Sequence, residues 1–188
     1  MASRAVSPPL AHLPNALTVL RLALIPVFAA AYLAADDGSS WAAGLVFGAA
    51  GVTDQVDGFL ARRWRVESRF GTLADPLADR LMIDTAVILL WLEDKLPWYG
   101  ALVILLRDVL LVSGYKLLMP RGYELNVSKL GKLATWLLYL SVGILTVVGR
   151  ATDWPLWLFW LALALALVAA VQYVVEARRE VARGEMAP

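Results

Sequence analysis

The sequence predicts an all-α membrane protein with a single domain, and three observations lead to this fold class. The 188 residues are 60% hydrophobic and include eight Trp but no Cys, which excludes an ordinary soluble domain and a disulfide scaffold. The hydrophobic residues fall into six runs, each close to the roughly 20 residues that a helix needs to cross a bilayer. Lys and Arg are concentrated in alternate connections between these runs, which is typical of a polytopic membrane protein.

Six transmembrane helices are therefore expected, with a leader before them and a charged tail after them. The leader, residues 1–13, has no sustained apolar periodicity and is expected to be a short juxtamembrane segment without a cleavable signal peptide. The tail, residues 177–188, is expected in the cytoplasm. No internal repeat or long linker divides the chain, so residues 1–188 are expected to form one domain. The predicted spans are residues 15–35, 41–61, 72–93, 97–119, 128–149 and 154–176.

Small and charged residues distinguish the second and third spans. Gly44, Gly48 and Gly51 form a small-residue face on the second span, which favours close packing against a neighbouring helix. The third span carries Arg80 and Asp84 four residues apart, a spacing that allows an ion pair on one helix face.

The remaining spans differ in their charges. The fourth holds Arg107 and Asp108 within an apolar run, where ionisable groups are costly and usually face a partner or a cavity. These two residues are interpreted either as an interhelical pair or as part of a binding site. The fifth begins with Lys129 and Lys132, which are interpreted as anion-binding or as ordinary cytoplasmic lysines. The sixth has no charge in its body and is expected to support the fold or an oligomer interface.

The distribution of Lys and Arg predicts the orientation in the membrane. Connections after the second, fourth and sixth spans are rich in Arg, whereas the opposite connections are acidic. By the positive-inside rule, both termini and the Arg-rich connection after the second span face the cytoplasm. The basic residues on that side are Arg62, Arg63, Arg65, Arg69, Arg121, Arg178, Arg179 and Arg183.

Four aspartates are concentrated where the second span ends and the third begins. Asp54 and Asp57 are three residues apart, and Asp75 and Asp79 are four residues apart, so each pair lies on one face of its own helix. A helical hairpin would bring the two faces together. Because close carboxylates repel one another and lose hydration in apolar surroundings, the cluster requires cations. All-oxygen ligands favour Mg²⁺, Mn²⁺ or Ca²⁺ over Zn²⁺.

The residues between the two pairs complete a longer pattern, Asp-x2-Asp-Gly-x2-Ala-Arg-x8-Gly-x3-Asp-x3-Asp. This pattern is similar, without a gap, to the signature of the CDP-alcohol phosphatidyltransferase family. The resemblance extends to Asn15, Thr18 and Arg21 in the first span and to the Ser-x-x-Gly-Lys segment that begins at Ser128. The eight specified positions of the aspartate pattern are Asp54, Asp57, Gly58, Ala61, Arg62, Gly71, Asp75 and Asp79.

The resemblance implies a homodimer of six-helix subunits in the inner or plasma membrane of a prokaryote, with a cavity open to the cytoplasm. It implies two divalent ions, Mg²⁺ or Mn²⁺, and no nucleic-acid partner. It assigns Asp54, Asp57, Asp75 and Asp79 to these metals, and Asp79 also to the role of general base. CDP-diacylglycerol would bind at six positions, with Arg62 on the diphosphate. These positions are Thr18, Asp57, Gly58, Ala61, Arg62 and Gly71.

The expected reaction transfers a phosphatidyl group from CDP-diacylglycerol to an alcohol and releases CMP. Cations near the cytoplasmic ends of the helices favour an acceptor that carries phosphate. The candidates are sn-glycerol 3-phosphate, phosphatidylglycerol and inositol phosphate, and the first is preferred, as in phosphatidylglycerophosphate synthases. The segment from Gly131 to Thr135 resembles actinobacterial-type cardiolipin synthases, which makes phosphatidylglycerol the main alternative. The candidate acceptor residues are Arg21, Arg107, Lys116, Lys129 and Lys132.

Two more distant functions are also compatible with acidic pairs in a membrane. An ion transporter could use four carboxylates, although it would not require Gly58, Arg62 and Gly71. An intramembrane prenyltransferase also places paired aspartates on a diphosphate, but those pairs usually lie in separate halves of a longer bundle. The sequence therefore favours the phosphatidyltransferase.

Overall fold

The structure is a computed structural model of the 188-residue chain. It describes the backbone of residues 13–35, 38–64, 69–118 and 128–183 and the side chains of residues 16–35, 38–53, 77–113 and 128–175. The leader at residues 1–12 lies outside the described residues.

Each predicted span coincides with a helix, and the described part of the chain contains no strand. The last helix continues well past the predicted end of its span, so the first part of the tail is helical. The helices are α1 (Leu13–Leu33), α2 (Trp41–Trp64), α3 (Arg69–Leu92), α4 (Trp98–Leu118), α5 (Lys129–Val147) and α6 (Trp154–Arg183).

Within the described residues, three helices are long and apolar enough to cross a membrane. The corresponding segments are Ala16–Leu33 in α1, Lys129–Val147 in α5 and Trp154–Val175 in α6. In α2 the apolar stretch among the described side chains is Trp41–Thr53, and Asp54 follows it in sequence. The all-helical fold is therefore confirmed, and the composition of these helices is that of a membrane protein.

The helices pack around one apolar core. The largest interfaces join α5 to α6 and α1 to both α2 and α3, whereas α4 lies at the edge of the bundle against α3 and α6. An aromatic chain connects three helices at the centre: the ring of Phe47 on α2 lies 5.6 Å from that of Phe28 on α1 and 4.4 Å from that of Tyr139 on α5. Such ring pairs stabilise a core beyond their buried area.

The glycines of α2 have different surroundings. A Cβ on Gly51 would lie 2.6 Å from Cε1 of Tyr139, and one on Gly44 would overlap Val147. These two positions confirm close packing, here of α2 against α5. Gly48 has no neighbour within 4 Å of such a Cβ, so it borders open space instead.

The connections α1–α2, α3–α4 and α5–α6 meet at one end of the bundle. There Arg150 Nη2 donates to Glu93 Oε2 at 2.5 Å, beside Gly38, which has a φ of +62°. Buried Lys95 donates from Nζ to the carbonyl oxygens of Leu145 at 2.8 Å and Val148 at 2.5 Å. Lys95 thereby caps the C-terminus of α5, where a cation is favourable.

Several exposed aromatic residues lie at this same end. Trp41, Trp98, Tyr99, Trp154 and Trp157 occupy the first turns of α2, α4 and α6, and each exposes at least half of its surface. Aromatic residues of this kind suit the boundary between lipid and water.

Candidate active site

Asp79 lies on α3 at the border of a large cavity. The cavity has a volume of about 850 Å³ and runs between α2 and α5. On α2 it extends from Trp41 to Val52, a length of roughly 16 Å at 1.5 Å per residue. Asp79, together with Thr135 on α5, borders it near the end where the α2 aspartates follow in sequence.

Apolar side chains dominate the cavity between these ends. Phe47, Trp136, Leu140, Ile144 and Val147 contribute to its walls. Among the lining residues that the structure describes, Asp79 is the only carboxylate. The cavity is therefore an apolar groove with an acidic group at one end, and this combination suits an amphiphilic ligand.

The helical backbone places the predicted metal ligands on two neighbouring helices. Asp54 and Asp57 belong to α2, Asp75 and Asp79 belong to α3, and α2 contacts α3. Each pair therefore has the helical spacing that the sequence predicted. The side chains of Asp54, Asp57 and Asp75 lie outside the described residues. Among the described side chains, no three carboxylate or imidazole groups lie close enough to hold a metal ion.

The residues predicted to contact the nucleotide also lie on these two helices. Gly58, which directly follows Asp57, and Ala61 and Arg62, about one turn further on, belong to α2, and Gly71 belongs to α3, one turn before Asp75. Their side chains lie outside the described residues as well.

Thr18 and Arg21 lie inside the bundle on α1. Both are completely buried, and both take part in interactions within the structure. α1 packs on both α2 and α3. Thr18 and Arg21 therefore lie on a helix that contacts the two helices with the aspartates.

A cluster of charges joins α3 to α4. Asp108 is almost completely buried and accepts a hydrogen bond from Arg80 Nη1 at 2.6 Å, while Arg107 Nε lies 3.3 Å from the same carboxylate oxygen. The side chain of Arg107 is only 10% exposed. Among the described residues, Arg107 Nη1 and Asp84 Oδ1 are buried without a hydrogen-bond partner. Asp108 therefore forms an interhelical pair, and Arg107 retains a buried donor.

The first turn of α5 carries the predicted anion-binding lysines. Ser128 caps the helix: its Oγ accepts from the N–H of Gly131 at 3.0 Å. Lys129 and Lys132 follow and are exposed. Lys116 belongs to α4, but its side chain lies outside the described residues.

A comparison with known protein families decides the classification. The family model described as CDP-alcohol phosphatidyltransferase matches residues 11–169. The chain belongs to the CDP-alcohol phosphatidyltransferase family. This membership confirms the resemblance in the aspartate pattern and identifies the protein as an enzyme of phosphatidyl transfer. It also decides against the transporter and prenyltransferase alternatives.

Similar CDP-alcohol phosphatidyltransferases have two kinds of name. A Mycobacterium tuberculosis protein named "Putative cardiolipin synthase" is 42% identical over 145 residues, which are 77% of this chain and 67% of the relative. Another protein of that organism, named "Probable phosphatidylglycerophosphate synthase", is 33% identical over 177 residues, 92% of this chain and 84% of the relative. A CDP-diacylglycerol–glycerol-3-phosphate 3-phosphatidyltransferase of Shigella flexneri is 32% identical over 182 residues, 90% of this chain and 96% of the relative.

Sequence reasoning missed two features of this CDP-alcohol phosphatidyltransferase. The pairing of Arg80 with Asp108 was not predicted. The helical spacing suggests Asp84 as the partner of Arg80, although an acid of the next span is an equally suitable partner for an arginine inside an apolar helix. The role of Tyr139, which contacts Phe47 and lines the groove, had no signal in the sequence. A tyrosine in an apolar helix does not reveal which neighbour it faces.

Proposed function

We propose that this protein transfers the phosphatidyl group of CDP-diacylglycerol to sn-glycerol 3-phosphate and releases CMP, as a phosphatidylglycerophosphate synthase does. The observation that carries the proposal is the position of Asp79 at one end of the apolar groove between α2 and α5. A lipid with a charged head group requires both properties in one site: apolar walls for its acyl chains and ionic groups for the diphosphate.

The aspartates fit a pair of divalent metal ions. The donor set consists of four carboxylates, two on each of two adjacent helices, and hard oxygen ligands of this kind suit Mg²⁺ or Mn²⁺. Asp54, Asp57, Asp75 and Asp79 would hold the ions. When bound, two such ions supply positive charge to a diphosphate and to the phosphate that leaves.

Other residues of α2 and α3 would bind the donor. Arg62 lies one turn or more beyond Asp57 and would form charge-assisted hydrogen bonds with the diphosphate. Gly58, Ala61 and Gly71 lack large side chains, so that the cytidine can approach the backbone closely. Thr18 would contact the donor from α1, and the groove beyond Asp79 would hold acyl chains.

Asp79 would accept the proton of the acceptor hydroxyl. Its half-buried carboxylate borders the groove, where it can meet both the hydroxyl and the phosphorus atom that the hydroxyl attacks. A positioned general base of this kind contributes about 10²- to 10⁴-fold to a rate. The oxygen–phosphorus bond to the acceptor then forms as the bond to CMP breaks, without a covalent enzyme intermediate.

Cations around the site would bind the phosphate of the acceptor. Arg107 has a buried Nη1 donor with no partner among the described residues, and a phosphate oxygen is a suitable acceptor for it. Lys129 and Lys132 extend from the first turn of α5, where helix N–H groups also favour an anion. Lys116 and Arg21 complete the proposed set.

Phosphatidylglycerol is the second candidate acceptor, which would make the protein a cardiolipin synthase. Two observations favour it: the 42% identity to a relative with that name, and Ala134, where phosphatidylglycerophosphate synthases would carry a second lysine. A phosphodiester has one negative charge and requires fewer cations than a phosphate monoester.

The proposed setting is a homodimer of six-span subunits in the inner or plasma membrane of a prokaryote, with both termini and the aspartates facing the cytoplasm. The three apolar helices support membrane insertion. The Arg-rich connections support the orientation.

An assay with each acceptor tests the function. The purified protein would be incubated with CDP-diacylglycerol and Mg²⁺, and with glycerol 3-phosphate, phosphatidylglycerol or inositol phosphate. We expect CMP and phosphatidylglycerophosphate with the first of these. Cardiolipin formed from phosphatidylglycerol, with no CMP on addition of glycerol 3-phosphate, would establish the second candidate instead.

A further inference from the structure

A tyrosine of α6 holds the first turn of α5. The backbone N–H of Ser128 donates to Oη of Tyr173 at 3.0 Å, across 45 residues of sequence. Ser128 in turn caps α5 through its side chain, which accepts from the N–H of Gly131 at 3.0 Å. The position at which α5 begins is therefore set by a side chain of the neighbouring helix.

The same tyrosine explains the glycine at position 131. A Cβ at this position would lie 2.5 Å from Oη of Tyr173, which is too close for any real contact. The next atom of the ring, Cζ, would be 3.4 Å away, and Oγ of Ser128 would be 3.3 Å away. The hydroxyl of Tyr173 is thus the atom that excludes a side chain at residue 131.

We infer that Tyr173 is a positioning residue for the phosphate of the acceptor, an inference that rests on the proposed function. Lys129 and Lys132 lie on the turn that Tyr173 holds. Their long side chains are exposed, so the location of their backbone decides which region their ammonium groups can reach. Tyr173 itself acts through α5 and has no proposed contact with the reacting atoms.

Substitution of Tyr173 by Phe removes one oxygen atom and keeps the packing of the ring. The N–H of Ser128 loses its acceptor, and we expect the KM of the acceptor to rise about 2- to 10-fold, the equivalent of one neutral hydrogen bond. The KM of CDP-diacylglycerol and kcat at saturating acceptor should stay within about twofold. Tyr99→Phe, on the exposed start of α4, is the matched control and should change none of the three.

A second substitution tests the contact itself. Gly131→Ala should raise the KM of the acceptor more than Tyr173→Phe does, because the new methyl group displaces the helix start. In the Tyr173→Phe background, the same Gly131→Ala change should have a much smaller effect. The nearest atom of residue 173 would then be Cζ, about 3.4 Å from the new methyl group, which is an ordinary van der Waals distance. This dependence of one substitution on the other is not expected of two unrelated structural defects.

Three results would overturn the inference. One is a folded Tyr173→Phe protein, with an unchanged thermal midpoint, in which the KM of the acceptor is unaltered or in which both KM values rise equally. Another is a Gly131→Ala effect of the same size in both backgrounds. The third is the absence of CMP release by the wild type with every acceptor, which would overturn the proposed function as well. If phosphatidylglycerol is the acceptor, the same KM comparison is made with it, and the inference is decided separately from the identity of the acceptor.

Discussion

Arg80 Nη1 donates to Asp108 Oδ1 at 2.6 Å and so joins α3 to α4 directly beside Asp79. Asp108 is 4% exposed in its side chain and lies between two guanidinium groups, since Arg107 Nε is 3.3 Å from the same oxygen. Its single negative charge therefore lies against two positive charges inside an apolar bundle.

Asp108→Asn is expected to destabilise the protein strongly. Removal of one partner from a buried ion pair leaves an uncompensated charge, which costs about 3–5 kcal/mol. Unfolding in detergent, followed by circular dichroism, measures this loss. The matched control is Glu93→Gln, which breaks the more exposed pair with Arg150 and should cost about 0–1 kcal/mol. Equal losses in the two variants would contradict the structural role of Asp108.

Asp79 and Asp57 are expected to differ in how much they contribute to catalysis and to metal binding. Asp79→Asn should abolish CMP release but retain part of the Mn²⁺ binding, because the general base is lost while the other three carboxylates remain. Asp57→Asn should weaken Mn²⁺ binding as well. Binding is measured by electron paramagnetic resonance of Mn²⁺, with exposed Asp153→Asn as the unaffected control. Full activity in the presence of excess chelator would exclude the two-metal site.

The groove provides a test of lipid binding at Gly48. A Cβ at this position meets nothing within 4 Å, so Gly48→Leu should place its side chain in the groove without disturbing the helices. We expect the KM of CDP-diacylglycerol to rise about tenfold or more, because loss of the burial of an apolar segment of this size costs about 1.5–3 kcal/mol of binding free energy. The KM of a water-soluble acceptor should change little. Gly149→Leu, also in open space but in the α5–α6 connection, is the control. An unchanged KM for the donor would mean that acyl chains bind elsewhere.

Lys95 makes stability depend on pH at the opposite end of the bundle. Burial, reinforced by Arg150, lowers the pKa of Lys95 to about 8, and Glu93 opposes this shift. Between this value and the ordinary pKa of about 10.5, the unfolded chain binds more protons than the folded one, so the free energy of unfolding should rise with pH. This increase should be missing from Lys95→Met. Parallel pH profiles for the two proteins would refute the shift.

Membrane orientation is testable because the chain contains no cysteine. A single cysteine introduced as Arg65→Cys or Arg121→Cys should react only with reagents on the cytoplasmic side, and Ser39→Cys only with reagents outside the cell. A membrane-impermeant maleimide applied to intact cells and to inverted vesicles measures the difference. Reaction of Arg65→Cys in intact cells would place the aspartates on the wrong side for a cytoplasmic acceptor.

The sequence by itself determined the helices and the family. Each predicted span coincides with a helix, because the apolar runs have the length and composition of helices rather than of strands or loops. The eight-position pattern from Asp54 to Asp79 was sufficient to identify the family, and helical periodicity places each aspartate pair of this pattern on one helix face. Both inferences depend on neighbours in sequence.

Only the tertiary structure decided which helix faces meet. The groove between α2 and α5, the pair Arg80–Asp108 and the bond from Ser128 to Tyr173 all join residues of different helices. Their formation depends on how the packed helices are rotated and how far apart they lie. In an apolar bundle almost every helix face is hydrophobic, so the periodicity of the sequence does not show which face points inward. For the same reason the sequence did not reveal that Asp108 lies between Arg107 of its own helix and Arg80 of α3, or that Arg107 retains a buried donor.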